Sequence, residues 1–131
     1  MKKVNIKARI KRNRLDELAG EYYQDENSEI VKCLNSRNKN ALVGIKRPDG
    51  IYTVIGEEYV YYLIESGVDG EIAHGDILKI LKENAWAKGK TGQFEFVQIN
   101  QQDYVWFLNG GVMNTMWNLI ILLNNANSAI K

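Results

Sequence analysis

The chain contains one histidine, His74, and one cysteine, Cys33, two residue types that can form a nucleophilic catalytic pair. His74 lies in an Ala-His-Gly-Asp stretch before a predicted helix, where Asp76 fits the helix cap and His74 fits a polar loop position. Cys33 lies on the apolar side of another predicted helix, which favours a buried and unreactive thiol. We therefore predict no catalytic pair, no metal-binding cluster and no cofactor, and we favour a protein that is not an enzyme.

Basic residues are concentrated at the amino terminus, where they could contact phosphate groups. The first fourteen residues hold seven cations and no acid. Residues 4–10 alternate apolar and polar side chains, which predicts a half-buried strand. Lys7, Arg9 and Lys11 then share one face of that strand, spaced about 6.6 Å apart. Such a row either follows a line of phosphates or protects a sheet edge from mispairing.

Two further segments could complete an anion site. Asn109-Gly110-Gly111 joins a strand to a helix, where free backbone N–H groups favour an anion, although the same glycines also fit a tight turn. Tyr104 and Trp106 share one face of a predicted strand, where they could stack on a base or dock a protein. The candidate ligand-binding residues are therefore Lys7, Arg9, Lys11, Arg47, Tyr104, Trp106, Asn109, Gly110 and Gly111.

The last part of the chain has no charged residue from Tyr104 to Ile130. The helix predicted from about Val112 to Asn125 is apolar well beyond one face, whereas a surface helix normally has a charged outer face. Either the same chain covers this helix or a second subunit does. We favour a subunit interface in a homo-oligomer, since interfaces are poor in charge and rich in Met and Trp. The predicted interface residues are Met113, Met116, Trp117, Ile120 and Ile121.

These segments belong to one predicted α+β domain, residues 1–131. The expected order is β-α-α-β-β-β-α-β-β-α, with about five to six strands in a mainly antiparallel sheet and three to four helices. The clearest signal is a hairpin in which Ala41 to Lys46 and Ile51 to Ile55 flank the turn Arg47-Pro48-Asp49-Gly50. Further strands are predicted at 4–10, 59–65, 94–99 and 104–108, and helices at 14–23, near 30–34, at 76–88 and at 112–125.

Composition narrows the class of function. The 131 residues are 45% hydrophobic and 25% charged, values typical of one globular domain. The net charge of +1 gives only a weak overall field, so nucleic acid is a weakly supported partner. A lone cysteine, no apolar signal segment and no apolar run of about 20 residues predict a cytoplasmic protein without membrane contact. Richness in Asn, Ile and Lys indicates a bacterial or phage genome of low GC content.

Three functions fit these observations. The favoured interpretation is a non-enzymatic binding protein that inhibits or sequesters a protein partner, similar in size to bacterial or phage inhibitors, immunity proteins and anti-defence proteins. The alternative is an oligomeric protein that sequesters an anionic nucleotide. The third is an enzyme whose active-site residues are dispersed along the sequence without a linear motif.

Overall fold

A computed structural model describes residues 14–65, 67–88, 95–99 and 103–130, except for the side chains of 84–88 and 126–130. The strand predicted at 4–10 lies outside these residues. The predicted α+β class and order of elements are confirmed. In chain order the elements are α1 (Leu15–Ala19), a 3₁₀ turn (Gly20–Tyr22), β1 (Tyr23–Gln24), α2 (Glu29–Ser36), β2 (Ala41–Lys46), β3 (Tyr52–Gly56), β4 (Tyr59–Leu63), β5 (Asp69–Ala73), α3 (His74–Lys88), β6 (Phe96–Gln98), β7 (Tyr104–Trp106) and α4 (Gly110–Ile130).

Five strands form one antiparallel sheet in the order β1-β2-β3-β4-β5, and β6 pairs with β7 in a separate two-stranded sheet. The predicted hairpin joins β2 to β3. Its turn is closed by the N–H of Arg47, which donates to the carbonyl of Ile51 at 2.7 Å, and by the N–H of Gly50, which donates to Arg47 at 3.0 Å. Gly50 has a φ of 104°, a conformation open to glycine because it has no Cβ.

Two strands of the five-stranded sheet are absent from the sequence prediction, β1 and β5. β5 contains Asp69, Gly70 and Glu71, which are poor strand formers. It forms because β4 is rich in tyrosine and provides a regular antiparallel partner, in register from Tyr59 opposite Ala73 to Leu63 opposite Asp69. Tertiary pairing therefore overrides the weak local preference of β5.

One face of the sheet, here called the core face, is covered by α1, α3, α4 and the β6–β7 hairpin. Val43 and Ile55 lie in the larger hydrophobic cluster on this face. α4 contributes Met116, Leu119 and Ile120, each fully buried. Complete burial of such a side chain contributes about 1.5–3 kcal/mol, so the core face supplies most of the stability of the domain.

The opposite face, here called the pocket face, carries a smaller cluster. α2 packs Val31 and Leu34 against Tyr52, Val54 and Tyr61. Since α2 has only eight residues and packs mainly on β2, it covers the β2 side of the face and leaves the β5 side more open. None of the helices in the described ranges combines the length and apolar character that a membrane crossing requires.

Candidate binding site

A cavity of about 150 Å³ opens on the pocket face, where the end of α2 meets β3, β4 and β5. Its floor consists of Leu34 and the side chains of Tyr52 and Tyr61, all of which are buried. Its volume is well below the roughly 300–1,000 Å³ of typical sites for drug-sized ligands. The cavity therefore suits one side chain or a very small molecule. Its rim is formed by Arg37, Lys39, Asp69, Gly70 and Glu71.

Two ion pairs lie on the rim. Nζ of Lys39 is 2.8 Å from Oε1 of Glu71, and a guanidinium nitrogen of Arg37 is 4.0 Å from Oδ2 of Asp69. All four side chains keep about a third or more of their surface in solvent, so each pair contributes at most about 1 kcal/mol. These pairs can therefore rearrange at small cost when a ligand presents a charge to the rim.

Tyr61 and Tyr52 give the floor its chemistry. The hydroxyl of Tyr61 donates to the carbonyl of Lys39, and Nζ of Lys39 lies 5.8 Å from the centroid of the Tyr61 ring. Burial raises the pKa of Tyr61, and the nearby charges of Glu71 and Glu58 raise it further. Burial, followed by the charge of Asp69, also raises the pKa of Tyr52. Both phenols therefore stay neutral at physiological pH.

Asn35 joins the helical wall of the cavity to the sheet. Its Nδ2 donates to the carbonyl of Ala41 at 3.1 Å, and its Oδ1 accepts the N–H of Ala41 at 2.6 Å. Asn38 and Asn40, on either side of Lys39, have φ values of 62° and 54°, a left-handed conformation that asparagine tolerates better than most residues. The tight connection between α2 and β2 thus positions Lys39 on the rim.

β5 is both the outer wall of the cavity and an edge of the five-stranded sheet in the described part of the chain. The N–H of His74 donates to the carbonyl of Glu58 at 3.1 Å, which fixes the alternation of the ladder between β4 and β5. In that alternation Asp69 and Glu71 occupy non-hydrogen-bonded positions, so their backbone N–H and C=O groups point away from β4. These four backbone groups have the geometry required to pair with another strand.

The chain matches no family model, no curated protein and no solved structure. The cavity and the edge strand therefore carry the functional argument by themselves.

Arg47 and Trp106, two predicted ligand-binding residues, lie together in the structure. The guanidinium of Arg47 is 5.7 Å from the centroid of the Trp106 ring. It also lies 2.8 Å from a carboxylate oxygen of Asp49 and 3.6 Å from one of Glu65, so its charge is already balanced. Trp106 is 2% exposed and Tyr104 is 48% exposed. These two rings therefore do not form a common surface on which a base could stack.

Asn109 acts as the cap of α4. Its Oδ1 accepts the N–H of Val112 at 2.9 Å, and its carbonyl accepts the N–H of Met113 at 2.9 Å. This cap starts the helix at Gly110, earlier than predicted, with Gly111 in its first turn. It also occupies a backbone N–H that an anion would need.

Three of the predicted ligand-binding residues, Lys7, Arg9 and Lys11, lie outside the described part of the chain. The nucleotide alternative depends on these residues and stays a prediction.

The predicted interface residues of α4 divide into two groups. Met113, Met116 and Ile120 are buried within this one protomer, because α1, α3 and the sheet surround them. These three side chains are therefore covered without a second subunit. Trp117 is partly buried and Ile121 is 39% exposed. A homo-oligomer stays a prediction, and these two residues are the ones available to form it.

His74 is not the polar loop residue that the sequence predicts. β5 runs directly into α3, which begins at His74, and the side chain is only 2% exposed. Neither ring nitrogen has a hydrogen-bond partner among the described residues. Burial lowers the pKa of His74, and the nearby backbone of Gly56 and Tyr59 only partly offsets this effect. The imidazole is therefore neutral in the folded protein at physiological pH.

Cys33 is exposed, so the prediction of a buried thiol is wrong. α2 turns Val31 and Leu34 inward, and a residue two positions after Val31 points about 200° away from it around the helix. Among the side chains that the structure describes, no group of three or more His, Cys, Asp or Glu residues is placed to hold a metal ion.

Proposed function

We propose that this chain is a non-enzymatic binding protein that occupies a protein partner by adding an extended segment of that partner to β5. The observation that carries the proposal is the edge strand, whose outward backbone groups at Asp69 and Glu71 lie beside a cavity sized for a side chain. In strand addition, main-chain hydrogen bonds supply affinity, and pockets for alternate side chains supply specificity. The pocket face offers both at one edge.

The regularity of β5 supports this role. Its five residues pair with β4 in continuous register without a bulge, and it contains no proline, so a partner strand could follow it. Its acids also argue against pairing between two copies. Two β5 strands joined through Asp69 and Glu71 would place carboxylate against carboxylate, which is destabilising across a sheet. A different protein is therefore the expected partner at this edge.

A display library of random nonapeptides provides the first test. The tightest binders are synthesised, and hydrogen exchange of the protein is measured with and without each peptide. Strand addition protects the amide hydrogens of Asp69 and Glu71, because these amides become donors to the added strand. Binders that protect amides elsewhere and leave β5 unchanged would contradict the proposal, as would a library that yields no binder.

A pair of variants then isolates the backbone contribution. Glu71→Pro removes one outward N–H and leaves the pairing with β4 intact, since proline is tolerated on the open side of an edge strand. Glu71→Thr removes the same carboxylate and keeps the N–H. We expect the proline variant to bind the selected peptides about tenfold more weakly than the threonine variant, the equivalent of about one hydrogen bond. Equal binding by two variants that show the same circular dichroism would count against strand addition.

A further inference from the structure

The rim of the cavity is charged, and its charges are paired with each other. Nζ of Lys39 lies 2.8 Å from Oε1 of Glu71. A guanidinium nitrogen of Arg37 lies 4.0 Å from Oδ2 of Asp69. A charged side chain that enters between these pairs meets cations and acids alike, so attraction to one is offset by repulsion from the other, while its own hydration is lost. The rim therefore favours an uncharged occupant, which leaves both ion pairs formed.

The size of the cavity narrows the choice of occupant. Its volume is about 150 Å³. An apolar protein cavity of about this volume holds one benzene molecule. A methyl group would leave most of the space unfilled and would lose the contacts that the walls offer, whereas two fused rings are larger than the cavity. One six-membered ring is the side chain of matching size.

The floor of the cavity favours an aromatic ring over an aliphatic group of the same size. The rings of Tyr52 and Tyr61 are buried there beside Leu34. Aromatic rings attract each other beyond the effect of the area that they bury. Nζ of Lys39 lies 5.8 Å from the centroid of the Tyr61 ring, so a ring inserted beside Tyr61 also meets this cation.

Strand addition gives such a ring a path into the cavity. Asp69 and Glu71 line the cavity from β5, two positions apart on the pocket face. A residue that exchanges both backbone hydrogen bonds with either of them has its Cα about 5.5 Å away, and its side chain lies on the same face of the sheet. Diagonal neighbours about 7–8 Å apart are still within reach of an aromatic side chain. A ring in the added strand can therefore pass between the two carboxylates to the mouth of the cavity.

We infer that the partner segment carries Phe or Tyr at a position that pairs with Asp69 or Glu71, and that this ring fills the cavity. The inference depends on the proposed function, because the register comes from strand addition to β5. Backbone pairing provides affinity for extended segments in general, and the buried ring selects among them. Residues 1–13 of this chain contain no aromatic side chain, so the basic amino terminus cannot supply this ring.

The test uses the full chain and four unlabelled heptapeptides with blocked ends. Each alternates Thr and Gln around a central residue, which is Phe, cyclohexylalanine, Ala or Lys. NMR titration measures the affinities, and hydrogen exchange locates each peptide on the protein.

The four peptides separate size, aromatic character and charge. We expect the Phe peptide to bind at least about tenfold more tightly than the Ala peptide, since it buries a whole ring. It should bind about threefold more tightly than the cyclohexylalanine peptide, which has a similar size and no aromatic face. The Lys peptide should gain no more than about twofold over the Ala peptide, because the charges on the rim are paired.

A change in the floor should change the preferred ring. Leu34→Ala enlarges the cavity, so a fifth peptide, with 2-naphthylalanine at its centre, should bind this variant at least about threefold more tightly than the Phe peptide does. On the wild type the order should be reversed. Leu119→Ala removes the same atoms on the core face and should keep the wild-type order. Circular dichroism shows whether each variant is folded, and the peptides on the wild type test the inference without any variant.

Failure of the inference differs from failure of the proposed function. Equal binding of the Phe and Ala peptides, with protection of the Asp69 and Glu71 amides by both, would overturn the ring and leave strand addition standing. Equal binding of the Phe and cyclohexylalanine peptides would contradict the aromatic preference. An unchanged order of rings in a folded Leu34→Ala variant would show that the ring lies outside this cavity. Protection of β5 by a peptide of residues 1–13 would contradict the need for a ring. The absence of protection at β5 with every peptide, including the library binders, would overturn both proposals.

Discussion

The same five strands form both faces of the sheet, and the two faces differ in how completely other elements cover them. On the core face, α1, α3, α4 and the β6–β7 hairpin enclose the side chains, and even the hydroxyl of Thr53 is satisfied by the carbonyl of Trp106. On the pocket face, one short helix covers part of the surface, and a charged rim surrounds what is left. A completely covered face stabilises the fold through its buried side chains. An incompletely covered face leaves polar groups exposed, and such groups are available to bind another molecule.

The comparison predicts unequal costs for the same truncation on the two faces. Leu119 on the core face and Leu34 on the pocket face are both buried. Leu119→Ala leaves a void among tightly packed helices and should cost about 4 kcal/mol, whereas Leu34→Ala enlarges a cavity already open to solvent and should cost about 2–3 kcal/mol. Urea denaturation of the two variants measures the difference. A larger loss of stability in Leu34→Ala than in Leu119→Ala would contradict this prediction.

Asn35 tests whether the pocket face depends on one polar contact. Asn35→Ala leaves the N–H and C=O of Ala41 without their side-chain partner and should lower the free energy of unfolding by about 1–3 kcal/mol. Asn114 is an exposed asparagine on α4, and Asn114→Ala should change stability by no more than about 0.5 kcal/mol. Thermal unfolding of both variants checks the prediction, and equal midpoints would contradict it.

The hydroxyl of Tyr61 should contribute less to stability than the side chain of Asn35. Tyr61→Phe removes its hydrogen bond to the carbonyl of Lys39 and should cost about 1 kcal/mol. Tyr104→Phe is the matched control, since Tyr104 is 48% exposed, and it should be nearly neutral. Guanidinium denaturation at constant pH measures both. A Tyr61→Phe variant as stable as the wild type would show that this hydrogen bond does not hold the rim.

His74 belongs to neither hydrophobic cluster. Its contribution to the pH dependence of stability should be absent at neutral pH. Its pKa is lowered in the folded state from 6.5, so below that pH the unfolded chain takes up the proton more readily. Stability should therefore fall as the pH decreases below about 6.5 and level off once the folded-state pKa is passed. Denaturation curves between pH 7.5 and 5.0 measure the slope. His74→Gln should lose this part of the pH dependence, and an unchanged slope would exclude His74 as its source.

The sequence predicts the fold where local signals are strong. The turn Arg47-Pro48-Asp49-Gly50 fixes a hairpin whose first strand has the predicted bounds, Ala41–Lys46. The uncharged run after Tyr104 indicates a covered helix, for which the favoured prediction is a second subunit, whereas the protomer itself buries Met116 and Ile120 of α4. β5 escapes prediction because its residues are poor strand formers and its stability comes from β4.

The candidate site is hidden from the sequence for a different reason. The cavity collects residues from α2, the loop before β2, and strands β3, β4 and β5, and no short spacing connects them. The sequence instead emphasises Asn109, which the structure uses as a helix cap, and Arg47, whose charge is balanced locally. Residue types in a linear pattern indicate chemistry, but the fold decides which neighbours each of these groups has.

The double hydrogen bond between Asn35 and Ala41 has a consequence for recognition. Because one amide joins the end of α2 to the start of β2, the helical wall of the cavity is fastened to the sheet before any partner arrives. In the proposed strand addition, an incoming segment would meet a binding site whose shape is already set, so most of the conformational entropy lost on association would be lost by the segment. The protein would thus present a rigid binding site to a flexible peptide.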